Sequence, residues 1–232
     1  MNTLAVCTFD DVLEIAVGTG GSYTSRVSKL GMTHSESLLP GILELLSEAG
    51  LDKSQLDLLC CARGPGSFTG LRIGMSALKG LAMALDRPLV SVPTMELLAY
   101  GSEDFDGAVV PLLDARKKRY YAAVFSGGVR VCPDLDCTPG DLAQHLEGFA
   151  RILFTGHTDV WAFAEQVTRA LPGERLVITR KGLGPAFPAL LELGEKYLSV
   201  HGPDDIGQGP SYIRKSEAEE ALEERLRREK DE

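Results

Sequence analysis

The sequence has few cysteines and no pair of them at the spacing that a structural metal site needs. The five cysteines are an odd number, no Cys-x-x-Cys pair occurs, and Cys60 and Cys61 lie together in an apolar segment. A disulfide framework and a zinc knuckle are therefore not indicated, and buried reduced thiols are expected.

The chain also lacks a long apolar run and an excess of positive charge. No hydrophobic stretch approaches the roughly 20 residues that span a bilayer, and no cleavable leader is recognisable. The net charge of −9 disfavours a protein that binds nucleic acid over a broad surface, because neutralising phosphates takes clustered Lys and Arg. We therefore expect a cytoplasmic protein without a membrane partner, which meets any RNA mainly through another protein.

Sets of residues that would carry catalysis or bind a metal are scarce as well. The four histidines, His34, His145, His157 and His201, are scattered, and neither Ser67 nor any cysteine has a histidine beside it in the sequence. A nucleophile needs an aligned base and a zinc site needs several ligands. We expect no catalytic residue and no metal ligand, and His34 is expected to be a polar residue near a helix N-terminus.

A glycine-rich loop is the most informative feature that is present. An apolar strand over residues 56–62 leads through Arg63-Gly64-Pro65-Gly66-Ser67-Phe68-Thr69-Gly70 into a helix. Backbone N–H groups and the helix dipole converge at such a junction, so it is a candidate anion or nucleotide site with Gly64, Gly66, Ser67, Thr69 and Gly70. The alternative is a tight strand-to-helix turn capped by Ser67 or Thr69.

Known nucleotide and nucleophile motifs do not fit this loop. The Walker loop is missing its Gly-Lys-Ser/Thr end, and Thr69 stands where a dinucleotide fingerprint needs its last glycine. The nucleophile elbow Gly-x-Ser-x-Gly fails because Pro65 and Thr69 flank Ser67 at its glycine positions. Ser67 is thus expected to cap a helix or to contact an anion.

The order of strands and turns occurs twice along the chain. Strands at 3–9, 12–17 and 22–30 are separated by an Asp-Asp turn and a double-glycine turn, and strands at 108–114, 120–125 and 129–131 repeat that order. Helices and further strands follow each set, which predicts a duplicated α/β unit with two lobes. We place the lobes at 1–103 and 104–215, joined by a polar link at 101–107, with a charged helix or tail at 216–232.

Four segments in order resemble the bacterial TsaB (YeaZ) family, whose members help install threonylcarbamoyladenosine in tRNA. They are residues 64–74, Thr33-His34-Ser35 with Leu38-Leu39-Pro40, Asp114-Ala115-Arg116 with Tyr121, and Pro210-Ser211-Tyr212-Ile213-Arg214. The resemblance implies a two-lobed actin-like fold (the ASKHA, duplicated ribonuclease-H-like class), in agreement with the repeat. It also implies a non-catalytic subunit that stabilises and activates a TsaD-type threonylcarbamoyl transferase.

Two departures from catalytic relatives of this fold agree with a non-catalytic role. The resemblance aligns Cys7 with the position where such relatives carry a magnesium-binding carboxylate, and a thiol does not organise Mg²⁺ in that way. The TsaD family binds metal through His-x-x-x-His, whereas His34 is followed four residues later by Leu38.

The resemblance also implies the partners and the interface. The expected partners are a TsaD-type subunit, a TsaE-type ATPase, tRNA through the complex, and a second copy of the chain when it is alone. ATP or ADP is expected mainly at the partner subunit. The expected interface lies on the helices at 35–49 and after the glycine loop, with Leu38, Ile42, Leu45, Leu71, Gly74, Met75 and Leu78.

The chain contains one dense basic run. This run, Arg116-Lys117-Lys118-Arg119 beside Tyr120 and Tyr121, is either a surface turn or a contact for tRNA or an acidic partner.

Two alternative functions stay open. The first is an independent ATPase or small-molecule kinase of the same fold. The second is a glycoprotease-like peptidase, which would need a nucleophile with an aligned base.

Overall fold

The computed structural model describes residues 1–29, 34–156, 160–179 and 185–214 together with Arg225, and of His34 the backbone only. Within these residues the chain forms two β-sheets and six α-helices, α1 to α6. Their order agrees with the predicted one apart from one helix, Thr94–Ala99, and one strand, Leu135–Cys137, which were not predicted. Except for Arg225, the predicted tail at 216–232 lies outside the described residues, as do Thr33 and His157.

The first sheet opens with the predicted three-stranded antiparallel meander. Strands β1 (Asn2–Cys7), β2 (Val12–Thr19) and β3 (Ser22–Lys29) pair in that order. Strands β4 (Leu58–Gly64) and β5 (Leu89–Pro93) then add in parallel, which gives the order β3-β2-β1-β4-β5. Helices α1 (His34–Glu48), α2 (Phe68–Leu85) and α3 (Thr94–Ala99) connect or follow these strands.

The second sheet repeats the plan with one interruption. Strand β6 (Ala108–Asp114) pairs with β7 (Tyr120–Ala122) and β8 (Phe125–Ser126), so the strand predicted at 120–125 is two short strands. Strand β9 (Val129–Arg130) pairs with β8, and β10 (Leu135–Cys137), which the sequence analysis missed, pairs with β7. Strands β11 (Arg151–Thr155) and β12 (Leu176–Thr179) extend the sheet in parallel beyond β6.

The remaining helices are α4 (Pro139–Leu146), α5 (Trp161–Ala170) and α6 (Phe187–His201). Helix α6 comes late in the sequence, yet it packs against β1, β4 and β5 of the first sheet. The division of the chain at residue 103 therefore stays a prediction, and we treat the lobes as the two sheets with the helices packed on them.

Alternate residues of the central strands enter different cores, because both faces of each sheet are covered. On β1, Leu4 and Val6 pack with α1 and α2, whereas Ala5 and Cys7 face a core that includes α3, α6 and the second sheet. A third core joins the outer face of the second sheet to α4 and α5. The result is five layers, helix–sheet–helix–sheet–helix, which explains why these strands read as continuous apolar runs. No helix in the described part of the chain is long and apolar enough to cross a membrane.

A buried carboxylate on β2 holds the start of α6. Glu14 is 2% exposed, and its Oε2 accepts hydrogen bonds from the backbone N–H groups of Ala186 at 2.6 Å and Phe187 at 3.0 Å. No side chain of the helix itself caps this N-terminus. Glu14 therefore satisfies two helix N–H groups and complements the helix dipole from a distant strand.

We expect Glu14→Ala to lower the free energy of unfolding by about 2–4 kcal/mol, because two buried N–H groups lose a charged acceptor. Glu14→Gln keeps one oxygen acceptor and should lose roughly half as much. Urea unfolding followed by circular dichroism measures both. A Glu14→Ala protein as stable as the wild type would contradict this role.

Candidate functional site

The glycine loop ends where α2 begins, and Ser67 caps that helix. Ser67 Oγ accepts a hydrogen bond from the Gly70 N–H at 3.2 Å, while the Ser67 N–H donates to the Phe9 carbonyl at 2.6 Å. Of the two candidates from the sequence, the cap is thus Ser67. Its hydroxyl is used in the helix start, as the capping alternative predicts.

Close packing explains the loop glycines. A β-carbon at Gly66 would lie 2.5 Å from the Phe9 carbonyl oxygen, and one at Gly70 would overlap the carbonyl oxygen of Thr8. Gly64 has a φ of +110°, and a β-carbon there would overlap the carbonyl oxygen of Ser211. The loop is therefore pressed between the β1–β2 turn (residues 8–11) and the chain near Ser211. Anion binding by Gly64, Gly66, Ser67, Thr69 and Gly70 stays a prediction.

The Pro-Ser-Tyr-Ile-Arg segment, residues 210–214, crosses from one lobe to the other, and we call it the strap. At its start the Ser211 N–H donates to the Arg63 carbonyl at 2.8 Å. The Tyr212 ring then packs on Phe68 with the centroids 4.7 Å apart, and Arg72 Nε donates to the Tyr212 hydroxyl at 2.9 Å. Arg72 also lies over the Phe68 ring at 3.9 Å, so the strap is fixed on the first turns of α2.

The strap ends on the second lobe in a charged cluster around Asp136. Arg214 Nε and Nη2 both donate to Asp136 at 2.8–3.0 Å, and Arg214 Nη1 donates to the Ala115 carbonyl at 3.1 Å. Arg119 Nε donates to the same carboxylate at 2.8 Å, and this hydrogen bond raises the pKa of Arg119. Fork-like bonds of this kind fix geometry as well as charge. The strap therefore ties the two lobes together.

The predicted basic run splits into two parts. Arg119 is engaged with Asp136, whereas Arg116, Lys117 and Lys118 form an exposed turn whose φ values of 63°, 53° and 61° are all left-handed. The Asp114 carboxylate accepts from the Arg116 N–H at 2.8 Å and holds the turn. Consecutive left-handed residues other than glycine are uncommon, and they present the three cations together at the surface beside the end of the strap. Contact with tRNA or an acidic partner stays a prediction.

The residues named for a partner interface require a correction, because all of them are buried inside the first lobe. The cores of this lobe hold Leu38, Ile42, Leu45, Leu71, Met75 and Leu78, and Gly74 is buried against Thr8. The large apolar side chains of helices on a sheet face the sheet, so the stripe that the sequence shows most clearly is the core stripe.

The outer face of α1 and α2 is carried by other residues. Leu39 and Leu43 of α1 are 51% and 59% exposed, and Met83 of α2 is 71% exposed. Between Arg72 and Met83, the exposed positions of α2 hold Ser76 and Gly80, which keep the surface smooth. We call Leu39, Leu43, Ser76, Gly80 and Met83 the outer face. Exposed apolar side chains on the outer sides of neighbouring helices are candidates for an interaction surface.

The thiols offer little support for nucleophilic chemistry. Cys7, Cys60 and Cys61 are buried, and burial raises the pKa of each, that of Cys61 to about 12. The thiolate is the reactive form, so these groups are inert near neutral pH. Among the described residues, no cluster of three or more His, Cys, Asp or Glu side chains could hold a metal ion.

Three contacts of this region were beyond sequence reasoning. The strap motif was recognised, but its partners Arg72 and Asp136 lie 140 and 78 residues away in the chain. Glu96 of α3 likewise meets Arg130 of β9 only in the folded protein. In the sequence these residues are visible only as isolated charges at the ends of strands and helices. Such charges do not show which distant residue each one will contact.

Two sheets, each opened by antiparallel strands and extended by parallel ones, enclose α3 and α6 and carry further helices outside. This architecture is a two-lobed actin-like α/β fold. The YeaZ structure from Pseudomonas aeruginosa shares it with a TM-score of 0.75 and 26% identity, covering 91% of this chain and 99% of that one.

Sequence comparisons give the family. A model of the family described as TsaD, tRNA N6-adenosine threonylcarbamoyltransferase, matches residues 28–171. The tRNA threonylcarbamoyladenosine biosynthesis protein TsaB of Bacillus subtilis (strain 168) is 30% identical, over 94% of this chain and 96% of that protein. TsaB of Haemophilus influenzae is 29% identical, over 92% of this chain and 94% of that protein. The chain belongs to the TsaB (YeaZ) family.

Proposed function

We propose that this protein acts in the biosynthesis of threonylcarbamoyladenosine in tRNA as the subunit that binds and activates a TsaD-type transferase. The observation that carries the proposal is the outer face of α1 and α2, an exposed apolar surface on a chain of which 94% matches a TsaB protein. The close-packed glycine loop and the buried thiols support a binding role more than chemistry by this chain alone.

The outer face is suited to a helical partner. Leu39 and Leu43 stand one turn apart on α1, and the Ser76 and Gly80 positions of α2 let another helix approach closely before Met83. The same face would serve for pairing with a second copy when the partner is absent, which is the homodimer expected from the sequence. Either pairing would bury the apolar side chains that the isolated chain exposes.

The experiment is co-purification with the TsaD-type protein of the same organism. We expect Leu43→Glu and Met83→Glu each to weaken the complex by about tenfold or more, because each buries a charge in an apolar interface. Val200→Glu is the matched control, since Val200 is 65% exposed and lies on α6, which packs on the opposite face of the first sheet from α1. Equal binding by all three variants would refute the interface, and no complex with the wild type would refute the partner.

We further assign tRNA contact to the exposed turn of Arg116, Lys117 and Lys118, which would act within the complex because the chain as a whole is acidic. ATP or ADP is placed mainly at the partner subunit, and a TsaE-type ATPase is a further member of the assembly. Filter binding of tRNA to the complex, with and without charge reversal of the turn, tests the contact.

A further inference from the structure

A cavity of about 260 Å³ lies between the two lobes beside Gly64. Four charged side chains line it: Arg63 of β4 and Glu96 of α3 from the first lobe, and Arg130 of β9 and Asp134 from the second. None of them belongs to the outer face or to the exposed basic turn. The cavity is therefore a separate place where a small molecule could touch both lobes.

Three of these side chains are already paired with one another. Arg130 Nη2 lies 3.3 Å from Glu96 Oε1, and Arg130 Nη1 pairs with Asp134 Oδ1. The Tyr197 hydroxyl donates to the second oxygen of Glu96. With two carboxylates around one guanidinium, the formal net charge of this triad is about −1.

Arg63 is the remaining charge. It is half-buried at the end of β4, and within the described part of the chain no hydrogen bond or ion pair engages its side chain. A guanidinium offers five N–H donors in a planar fork that fits a carboxylate. From one lobe the cavity thus presents a cation with no hydrogen bond or ion pair among the described residues. From the other it presents a triad of net negative charge, whose Asp134 Oδ2 has no hydrogen bond among those described.

We propose that this cavity binds a small zwitterion of amino-acid size, with its carboxylate on Arg63 and its ammonium group on Asp134. A simple anion would be attracted by Arg63 but repelled by the two carboxylates. A simple cation would be attracted by the triad but repelled by the two guanidinium groups. A molecule that carries both charges can place its negative group near Arg63 and its positive group near the triad. The volume suits a ligand smaller than a drug-sized molecule.

The test is ligand-observed NMR and calorimetry on the full chain with glycine and the L-amino acids that have uncharged side chains. Acetate and methylammonium serve as the separate halves. We expect saturable binding of at least one amino acid with a Kd at or below about 1 mM, and much weaker binding of either half. Arg63→Gln should weaken amino-acid binding by about tenfold or more.

Two further variants make the result decisive. Asp134→Asn should weaken amino-acid binding as well, whereas Arg169→Gln, which removes an exposed cation on α5, should not. If Asp134→Asn proves unstable by thermal unfolding, Arg63→Gln alone decides the proposal. The Arg63 side chain has no hydrogen bond or ion pair among the described residues, so its loss should leave the fold intact. Absence of saturable binding, unchanged binding by Arg63→Gln, or acetate binding as tightly as the amino acids would each overturn the proposal.

Discussion

Replacing Gly70 by alanine is expected to lower the free energy of unfolding by about 2–4 kcal/mol, although alanine is the better helix former. A β-carbon at Gly70 would overlap the carbonyl oxygen of Thr8, a backbone atom of the β1–β2 turn that no rotamer change can move. To relieve the overlap, α2 must shift away from the turn, and the core between α2 and β1 loses its packing.

Gly80 provides the matched control on the same helix. A β-carbon there would meet no atom within 4 Å, and the residue is exposed. Gly80→Ala should therefore raise the free energy of unfolding by about 0.5–1 kcal/mol. Urea unfolding of the two variants beside the wild type measures the opposite signs. Two variants with the same sign would contradict the view that Gly70 serves the close packing of α2 against the β1–β2 turn.

The second large effect is expected for the strap. Arg214→Ala should cost about 2–4 kcal/mol, because it removes the forked bond to Asp136 and the bond to the Ala115 carbonyl in a largely buried place. Arg119 still contacts Asp136 in the variant, which limits the loss. Chemical unfolding measures the change in stability.

Two comparisons isolate the strap. Arg116→Ala removes a neighbouring cation that is 78% exposed, and it should change the stability by no more than about 0.5 kcal/mol. A double-mutant cycle of Arg214→Ala with Asp136→Ala should give a coupling energy above about 1 kcal/mol. A coupling near zero would show that the strap does not tie the lobes through this pair.

Local patterns in the sequence predicted much of the fold. Apolar runs broken by turn residues gave the first meander and the repeat of strand order, and the glycine-rich junction marked the start of α2. The second lobe differs where Ala123 and Val124 interrupt the predicted strand and separate β7 from β8. Such interruptions depend on how neighbouring strands pair, and the local sequence pattern does not predict that pairing.

The candidate site was harder to predict because the role of each residue depends on contacts with residues far away in the sequence. Leu38 and Leu71 looked like surface candidates on an apolar helix stripe, yet they face the sheet, and the exposed Leu43 and Met83 could be recognised only once the helices were placed. Likewise, the glycines of the loop fit an anion cradle or a close approach equally well in sequence. Only the position of Thr8 and Phe9 shows what they contact.

The central claim is that this chain serves the reaction as a partner of the transferase. Its most direct test is the formation of threonylcarbamoyladenosine in tRNA by the organism's TsaD-type protein supplied with threonylcarbamoyl-adenylate, with and without this chain. We expect modification only when both proteins are present, and a strong loss when the chain carries Leu43→Glu and Met83→Glu together. Modification by this chain alone, or equal modification by the transferase without it, would contradict the account.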